Sequence, residues 1–478
     1  MNFKKIVYPI LVKRKIEMKT LLISPKMASG WPSHTMPPIG LGYLKACLLK
    51  EGFTEVKVVD MGDSKIESMR EIMHAESPEI VGITTFTDVR INALRAVAIV
   101  KEINPWVKTI LGGVHATIMY QQIMENYPAV DIICRGEGET TIVELFQALS
   151  NGADLCKVKG IVYRQNGEIV VTEERGPIRD LDGLPFPNYD DLDLKKYRDV
   201  NEYWKGKSVA SVITSRGCPF SCTFCSSHSV WGNWRYRSIG NVLDEIEWLV
   251  SQYGYEAACL VDDIPTLNKV RFKEFCQGIL NRGLHITWRA SSRADSVSLE
   301  MLELMREAGC VVLGFGVESG SPTILKNLDK KEKIEDVVNA FAWCKKVGIK
   351  AHFNVIVGAP GETRDTIAET KNLIKKTRPT YLDTTNMTLF PGTVLWQQAK
   401  DEGLADDSFF LTDQERLYYT GAMSVSEMYR IAREIYFLHA RVNGLSGYAR
   451  LVRFGFEKLR RTRGKVVSVL LPWKGKGF

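Results

Sequence analysis

A chain of 478 residues is too long for one ordinary domain, and with 45% apolar and 25% charged residues it reads as a folded globular protein rather than a disordered one. The net charge of +7 is modest for this size, so no nucleic-acid partner is expected, and no apolar run is long enough to span a membrane. Seven of the ten cysteines stand singly in apolar surroundings and three are clustered, a pattern that argues against a disulfide framework and for a metal site in a reducing, cytoplasmic compartment.

Residues 1–17 are basic with a short apolar stretch and lack a cleavage site, so they read as an N-terminal extension and not a signal peptide. From 18 to 150, short β-branched runs alternate with helical patterns. Strands are expected at Thr20–Ser24, Val56–Asp60, Ile80–Thr85, Thr109–Leu111 and Ile132–Cys134, and helices at Ile39–Lys50, Val89–Ile103, Thr117–Asn126 and Thr140–Leu149. That alternation predicts a doubly wound, Rossmann-like α/β domain with its ligand at the carboxyl ends of the strands. Residues 151–205 break the rhythm: a hairpin around Asn166-Gly167 and a run rich in Pro, Asp and Gly predict a linker. From 206 to 400 the alternation resumes, with strands expected at Val209–Ser215, Ala258–Asp262, Ile286–Arg289, Val311–Gly316, Ala351–Val357 and Leu382–Met387. Six such strands predict a partial (β/α)6 barrel with chemistry at their carboxyl ends. Residues 401–478 read as helical and finally basic.

The strongest chemical signal is Cys218-Pro219-Phe220-Ser221-Cys222-Thr223-Phe224-Cys225, just after a predicted strand. Thiolates are soft ligands suited to iron–sulfur clusters, and three of them on a four-iron cluster leave one iron open to a small molecule. Zinc is the alternative. It would need a fourth protein ligand, for which His228 is the one nearby candidate, and His228 reads better as a packing or substrate-side residue.

This motif resembles the radical S-adenosylmethionine (SAM) superfamily, and the resemblance runs on in order through Val261-Asp262-Asp263, Gly316-Val317-Glu318-Ser319-Gly320, Ile356-Val357-Gly358-Ala359-Pro360-Gly361-Glu362 and Phe390-Pro391-Gly392-Thr393. It implies that Cys218, Cys222 and Cys225 hold a [4Fe–4S] cluster. One electron from that cluster would cleave SAM to methionine and a 5′-deoxyadenosyl radical, with an external reductase, flavodoxin or ferredoxin as donor. It also implies that Phe224 lies beside the adenine, that Gly358 meets it through its backbone, and that Asp262, Asp263, Arg289, Arg293, Glu318 and Ser319 are polar contacts of SAM or substrate.

The first domain resembles the cobalamin-binding domains fused to such enzymes, on Pro37-Pro38-Ile39-Gly40-Leu41-Gly42, Gly82-Ile83-Thr84-Thr85, Gly112-Gly113-Val114-His115 and Gly136-Glu137-Gly138-Glu139. The resemblance implies cobalamin contacts from Gly40, Gly42, Thr84, Thr85, Gly112, Gly113, His115, Gly136, Glu137 and Gly138, with His115 a polar wall and not a cobalt ligand. Domains that ligate cobalt carry D-x-H-x-x-G after the second strand; here the sequence is Asp60-Met61-Gly62-Asp63-Ser64, without histidine.

The implied activity is methylation of an unactivated carbon or phosphorus centre in a small-molecule or lipid-like substrate, with SAM serving as radical source and as methyl donor through cobalamin. The same architecture also serves oxidative ring closure or C–C coupling on a lipid or tetrapyrrole. An RNA methylthiotransferase would need a second cysteine cluster and an all-β tail, neither evident, and a non-catalytic sensor would leave the barrel motifs without a use. The basic, aromatic-bearing tail from Arg441 to Phe478 reads either as a helix packed on the barrel or as a peripheral membrane contact.

Overall fold

The computed structural model of the chain describes residues 15–26, 36–62, 64–197, 203–204 and 206–449. The described residues divide into two compact units, one up to Tyr197, the other from Tyr203 onward.

The first unit runs β1 (Thr20–Ser24), α1 (Ile39–Lys50), β2 (Val56–Asp60), α2 (Met69–Glu76), β3 (Ile80–Thr84), α3 (Arg90–Ile103), β4 (Lys108–Gly112), α4 (Val114–Ile118), α5 (Tyr120–Asn126), β5 (Ile132–Cys134), α6 (Gly138–Asn151), β6 (Ile161–Gln165) and β7 (Glu168–Val171). Leu21, Leu22, Ile23, Val81, Ile83, Ile110 and Leu111 are all buried. Consecutive apolar residues of this kind fit strands covered by helices on both faces. The strand order is β2-β1-β3-β4-β5-β6-β7, parallel through β5. The order reverses between β1 and β3, which makes the crevice beyond Ser24 and Thr84 the switch point where such sheets bind ligands.

Several expectations need correction. The 161–171 hairpin is not linker; it extends the first sheet antiparallel from β5. The expected helix over 117–126 is two helices, broken at Met119. Helix α2 was not foreseen, because only Met69 and Met73 of its eight residues are buried and its apolar stripe is short.

The Pro- and Asp-rich run is likewise no free linker but a strap on α1 and β2. Asn188 donates its backbone N–H to Gly42 O at 3.0 Å. The Asp191 carboxylate accepts from Val58 N at 2.8 Å and from Lys45 Nζ at 2.5 Å. Tyr197 donates its hydroxyl to Asp60 Oδ2 at 2.7 Å, and Leu181, Tyr189 and Tyr197 are buried. Gly42 and Lys45 lie three apart on α1 and so share one face, the face that receives the strap.

The second unit contains β8 (Val209–Val212), β9 (Ser215–Arg216), α7 (Ser227–Trp231), β10 (Arg235–Tyr236), α8 (Ile239–Tyr253), β11 (Ala257–Leu260), α9 (Lys269–Asn281), β12 (Thr287–Ser292), α10 (Leu299–Glu307), β13 (Cys310–Glu318), α11 (Pro322–Asn327), α12 (Ile334–Val347), β14 (Lys350–Val357), α13 (Arg364–Thr377), β15 (Tyr381–Asn386), α14 (Val394–Asp401) and α15 (Val425–Val442). Six strands, β8-β11-β12-β13-β14-β15, form one all-parallel sheet in chain order, as a partial barrel requires. The expected first strand 209–215 is in fact broken: β8 stops at Val212, and β9 leaves the sheet to pair antiparallel with β10. Helix α15 lies along the outer edge of β15, where Thr384 N donates to Tyr436 Oη at 3.1 Å, so an otherwise open edge is covered. Among the described residues, no helix is long and apolar enough to cross a membrane. The expectations for residues 1–14 and for the tail beyond Ala449 lie outside the described residues.

The strap supplies a test. A Cβ at Gly42 would stand 2.9 Å from Tyr189 Cε1 and 3.0 Å from Pro187 Cβ. Alanine gains about 1 kcal/mol over glycine in a helix, whereas displacing a packed aromatic costs about 1–3 kcal/mol. Gly42→Ala is therefore expected to lower stability in chemical denaturation and to speed proteolysis between 180 and 197. A stabilised variant would show that the strap is not packed as described.

Candidate active site

The three thiols sit in the loop between β9 and β10, whose two ends are stapled by the pairs Ser215–Tyr236 and Arg216–Arg235. The root of the loop is held by Asp262. Its buried carboxylate accepts from Thr214 N at 3.0 Å, Thr214 Oγ1 at 2.9 Å and Ser215 Oγ at 2.6 Å. Burial raises the Asp262 pKa, while those hydrogen bonds and the Arg271 guanidinium act against the rise. Arg271 in turn donates to the carbonyls of Thr214 and Arg237, both at 2.9 Å, and Arg237 forms a buried ion pair with Glu245. Gly217 turns the chain into the loop at φ +84°, and a Cβ there would lie 2.7 Å from the carbonyl oxygens of Gly232 and Asn233. Farther along, Thr223 donates its N–H to Leu328 O at 3.1 Å and accepts from Leu395 N at 2.8 Å, so the end of α11 and the start of α14 clasp it from two sides.

Cys218 and Cys222 are half-buried and Cys225 is exposed. Desolvation by the surrounding protein raises the thiol pKa of each, that of Cys225 to about 11 although the residue itself reaches solvent, and Cys225 also feels the charges of the other two. The Lys330 and Arg293 cations act in the opposite sense on Cys218 and Cys222. A soft cation held as thiolates relieves that cost. Among the described residues no three Cys, His, Asp or Glu side chains close on a single ion. A four-iron cubane spreads its ligand sulfurs wider than one ion does, so a three-thiol donor set sharing one field fits the cluster. His228 shares a hydrogen bond through Nδ1 with the Cys218 carbonyl at 3.3 Å.

The motif residues divide once their partners are known. Asp263 stands next to the site: it accepts from Ser227 Oγ, and its charge is felt by Cys218 and Cys225. Phe224 is half-buried in the cysteine loop itself. Glu318 lies at a register break between β13 and β14 with φ +64°, and its carboxylate is 3.5 Å from Lys330 Nζ. A break of this kind re-aims a side chain. Burial pulls the Lys330 pKa down, but the Glu318 and Glu332 carboxylates outweigh it and raise it. Lys330 has no motif around it in the sequence, and only the fold brings it beside Cys222.

Four expected contacts have polar groups taken up by the protein itself. Asp262 roots the loop. Arg293 is buried, with Asp295 and the carbonyls of Lys330 and Lys331 taking its donors, and its guanidinium lies 4.0 Å from the Phe220 ring centroid. Ser319 is fully buried, its Oγ 3.2 Å from Thr370 Oγ1. Arg289 lies toward the amino ends of the strands, within reach of the Tyr203 and Trp204 rings and donating to Cys259 Sγ at 3.0 Å. Gly358, after β14, has φ +93° and donates its N–H to Glu362 Oε2 at 2.5 Å.

In the first unit Gly113 takes φ +94°, and a Cβ there would stand 2.8 Å from Thr85 O. With Gly112 O accepting from Thr85 N at 2.7 Å, the glycine pair lets β4 wrap the end of β3. Thr85 Oγ1 is buried without a hydrogen-bond partner, a hydroxyl suited to a polar ligand, and Thr84 beside it is half-buried. Gly40 and Gly136 have open space where a Cβ would be, as a bulky ligand would need, whereas Gly138 packs on Leu44 and Gly42 on the strap. Glu137 turns to the protein, accepting from Ile178 N at 2.5 Å. His115 is buried against Thr87 Oγ1, and burial, with Arg90, lowers its pKa to about 3, so it is neutral. In the loop that lacks the cobalt-ligating histidine, Asp60 is held by Gly62 N and Tyr197 Oη.

Two outcomes follow from this geometry. Gly217→Ala is expected to cut iron incorporation severely with the circular dichroism retained, because the clash is with backbone; full iron content would contradict the turn described. Burial raises the Glu362 pKa from 4.5 to about 7. The folded protein then holds a proton that the unfolded chain has lost, so stability falls as pH rises from about 4.5 to 7 and levels off above. The penalty is about 3 kcal/mol at most. Glu362→Gln should flatten that part of the melting-temperature profile; an unchanged slope would contradict it.

Comparison with known proteins places these features together. Residues 212–374 match the Radical SAM superfamily model and residues 32–146 the B12 binding domain model. An uncharacterized methyltransferase of Pyrococcus horikoshii is 36% identical, over 80% of this chain and 83% of that protein. The anaerobic magnesium-protoporphyrin IX monomethyl ester cyclase of Rubrivivax gelatinosus is 34% identical, over 80% and 70%. Among solved structures, the radical SAM methyltransferase TsrM from Kitasatospora setae, with cobalamin and a [4Fe–4S] cluster bound, shares the fold at a TM-score of 0.67 and 19% identity, over 81% of this chain and 75% of that one. The chain belongs to the cobalamin-dependent radical SAM enzymes, which work with a [4Fe–4S] cluster, SAM and cobalamin.

Proposed function

We propose that the chain methylates an unactivated carbon or phosphorus centre of a small molecule, with Cys218, Cys222 and Cys225 holding the cluster. The cluster and SAM supply a radical that abstracts hydrogen, and cobalamin supplies a methyl carrier that hydrogen abstraction alone does not require. The observation that carries the reading is the three-thiol loop, clasped through Thr223 and flanked by Lys330 and Asp263. Asp263, Glu318, Lys330 and the Gly358 backbone are then the groups that orient SAM, with Phe224 beside its adenine. Gly40 and Gly136 make room for cobalamin, Thr84 and Thr85 hydrogen-bond it, and Gly112 and Gly113 shape the strand ends beside it. The reducing electron comes from a flavodoxin- or ferredoxin-type donor.

Ring closure is the second reading, favoured by the likeness to the Rubrivivax gelatinosus cyclase. Product stoichiometry separates the two. Methylation is expected to release 5′-deoxyadenosine and S-adenosylhomocysteine in equal amounts when the loaded enzyme turns over an anaerobic small-molecule extract. 5′-Deoxyadenosine without S-adenosylhomocysteine would overturn methylation in favour of the cyclase reading.

The basic tail is proposed to hold the enzyme on the inner face of the membrane, each Lys or Arg near an anionic surface contributing about 1 kcal/mol. Truncation after Phe456 should then reduce sedimentation with anionic vesicles at low salt, and equal sedimentation of the truncated protein would end that reading.

A further inference from the structure

Helix α15 follows the barrel in sequence and carries none of the motifs, yet it meets the motif loop after β14. Its buried residues Met428, Ile431, Ala432, Ile435, His439 and Ala440 follow the helical repeat and form one stripe. Away from Met428 the helix is fixed by polar contacts. Thr384 N donates to Tyr436 Oη, His439 Nε2 lies 2.9 Å from Pro379 O, and Lys371 pairs with Glu434 at 2.6 Å. Met428 opens the stripe and is fully buried. A Cβ placed on Gly358 would stand 2.6 Å from Met428 Cε and 2.8 Å from its Sδ. On its other side Gly358 is held by the Glu362 carboxylate through its own N–H.

We propose that Met428 is a positioning residue for SAM: seated on Gly358, it presses the loop after β14 into the conformation that receives the nucleoside. This rests on the reading of Gly358 as a backbone contact of SAM. A glycine at φ +93° without a side chain has little of its own to resist rotation. Two neighbours over-determine it, Glu362 by a hydrogen bond and Met428 by contact. Methionine suits that place, since an unbranched thioether can follow a bare backbone surface that a branched side chain would meet with a gap. Helix α15 thereby becomes part of the cofactor site without touching the cofactor.

The test is SAM affinity, measured by anaerobic equilibrium dialysis on cluster-loaded protein, with iron content and melting temperature recorded for each variant. Met428→Ala is expected to weaken SAM binding by roughly tenfold at unchanged iron content, since displacements of about 1 Å are costly in oriented sites. Met428→Leu, close in volume but branched, should restore the affinity only in part. Ile435→Ala removes packing from the same stripe without meeting Gly358 and should lower the melting temperature while leaving SAM affinity near that of the wild type. Unchanged affinity in Met428→Ala, or an equal loss in Ile435→Ala, overturns the proposal. Gly358→Val tests the reading beneath it: the variant should abolish SAM binding, and retained binding would remove Gly358 from the site whatever Met428 does.

Discussion

The buried carboxylate of Asp262 is the contact on which the cysteine loop depends. Moving a carboxylate out of water is costly unless its lone pairs are satisfied. Here Thr214 N, Thr214 Oγ1 and Ser215 Oγ satisfy them, and these are the atoms at which the chain leaves β8. Arg271 balances the charge and spends its remaining donors on the Thr214 and Arg237 carbonyls, on either side of the loop. The loop is thus defined at both ends before any thiol is placed. Removing the carboxylate would strand Arg271 as well as free Thr214, so the loss would exceed that of one hydrogen bond.

From that root the rest of the second unit follows. The first and last strands of the sheet, β8 and β15, are not paired with each other. At the carboxyl ends their gap is bridged by Thr223 with Leu395 and by Ser229 Oγ with Gly392 O at 3.0 Å. At the amino ends it is bridged by Tyr203 on Tyr381, ring centroids 4.7 Å apart. A sheet held closed at its two rims can leave its inner face sparsely filled. Gly314 lies there between Ser291 and Asn354, in space that a larger side chain would occupy in a packed barrel.

Much of this was legible in the sequence because it is local. The runs at Thr20–Ser24, Val56–Asp60 and Ile132–Cys134 are strands with the expected bounds, and α1 spans Ile39–Lys50 as expected. The cysteine spacing and the order of the barrel motifs are also local properties. What the sequence hid is pairing at a distance. Asp262 and Asp263 are adjacent and alike in type, yet one binds backbone atoms 48 residues earlier and the other faces the thiols. Arg293, Ser319 and Glu137 occupy motif positions but satisfy the protein's own groups. Lys330 stands in a charged run, DKKEK, where nothing distinguishes it from its neighbours until the bulge at Glu318 turns a carboxylate toward it. The 180–197 strap has the composition of a linker, and its anchors Tyr189 and Asp191 become meaningful only opposite Gly42 and Lys45.

The central claim is that three thiols of one loop hold a four-iron cluster with one iron left for SAM. Mössbauer spectroscopy of anaerobically reconstituted protein, with and without SAM, tests it directly. The account predicts a [4Fe–4S] spectrum in which one iron shifts when SAM binds, and the loss of the whole signal when Cys218, Cys222 and Cys225 are replaced together by Ala. A full cluster in the triple variant, or a spectrum in which SAM alters none of the four sites, would contradict it.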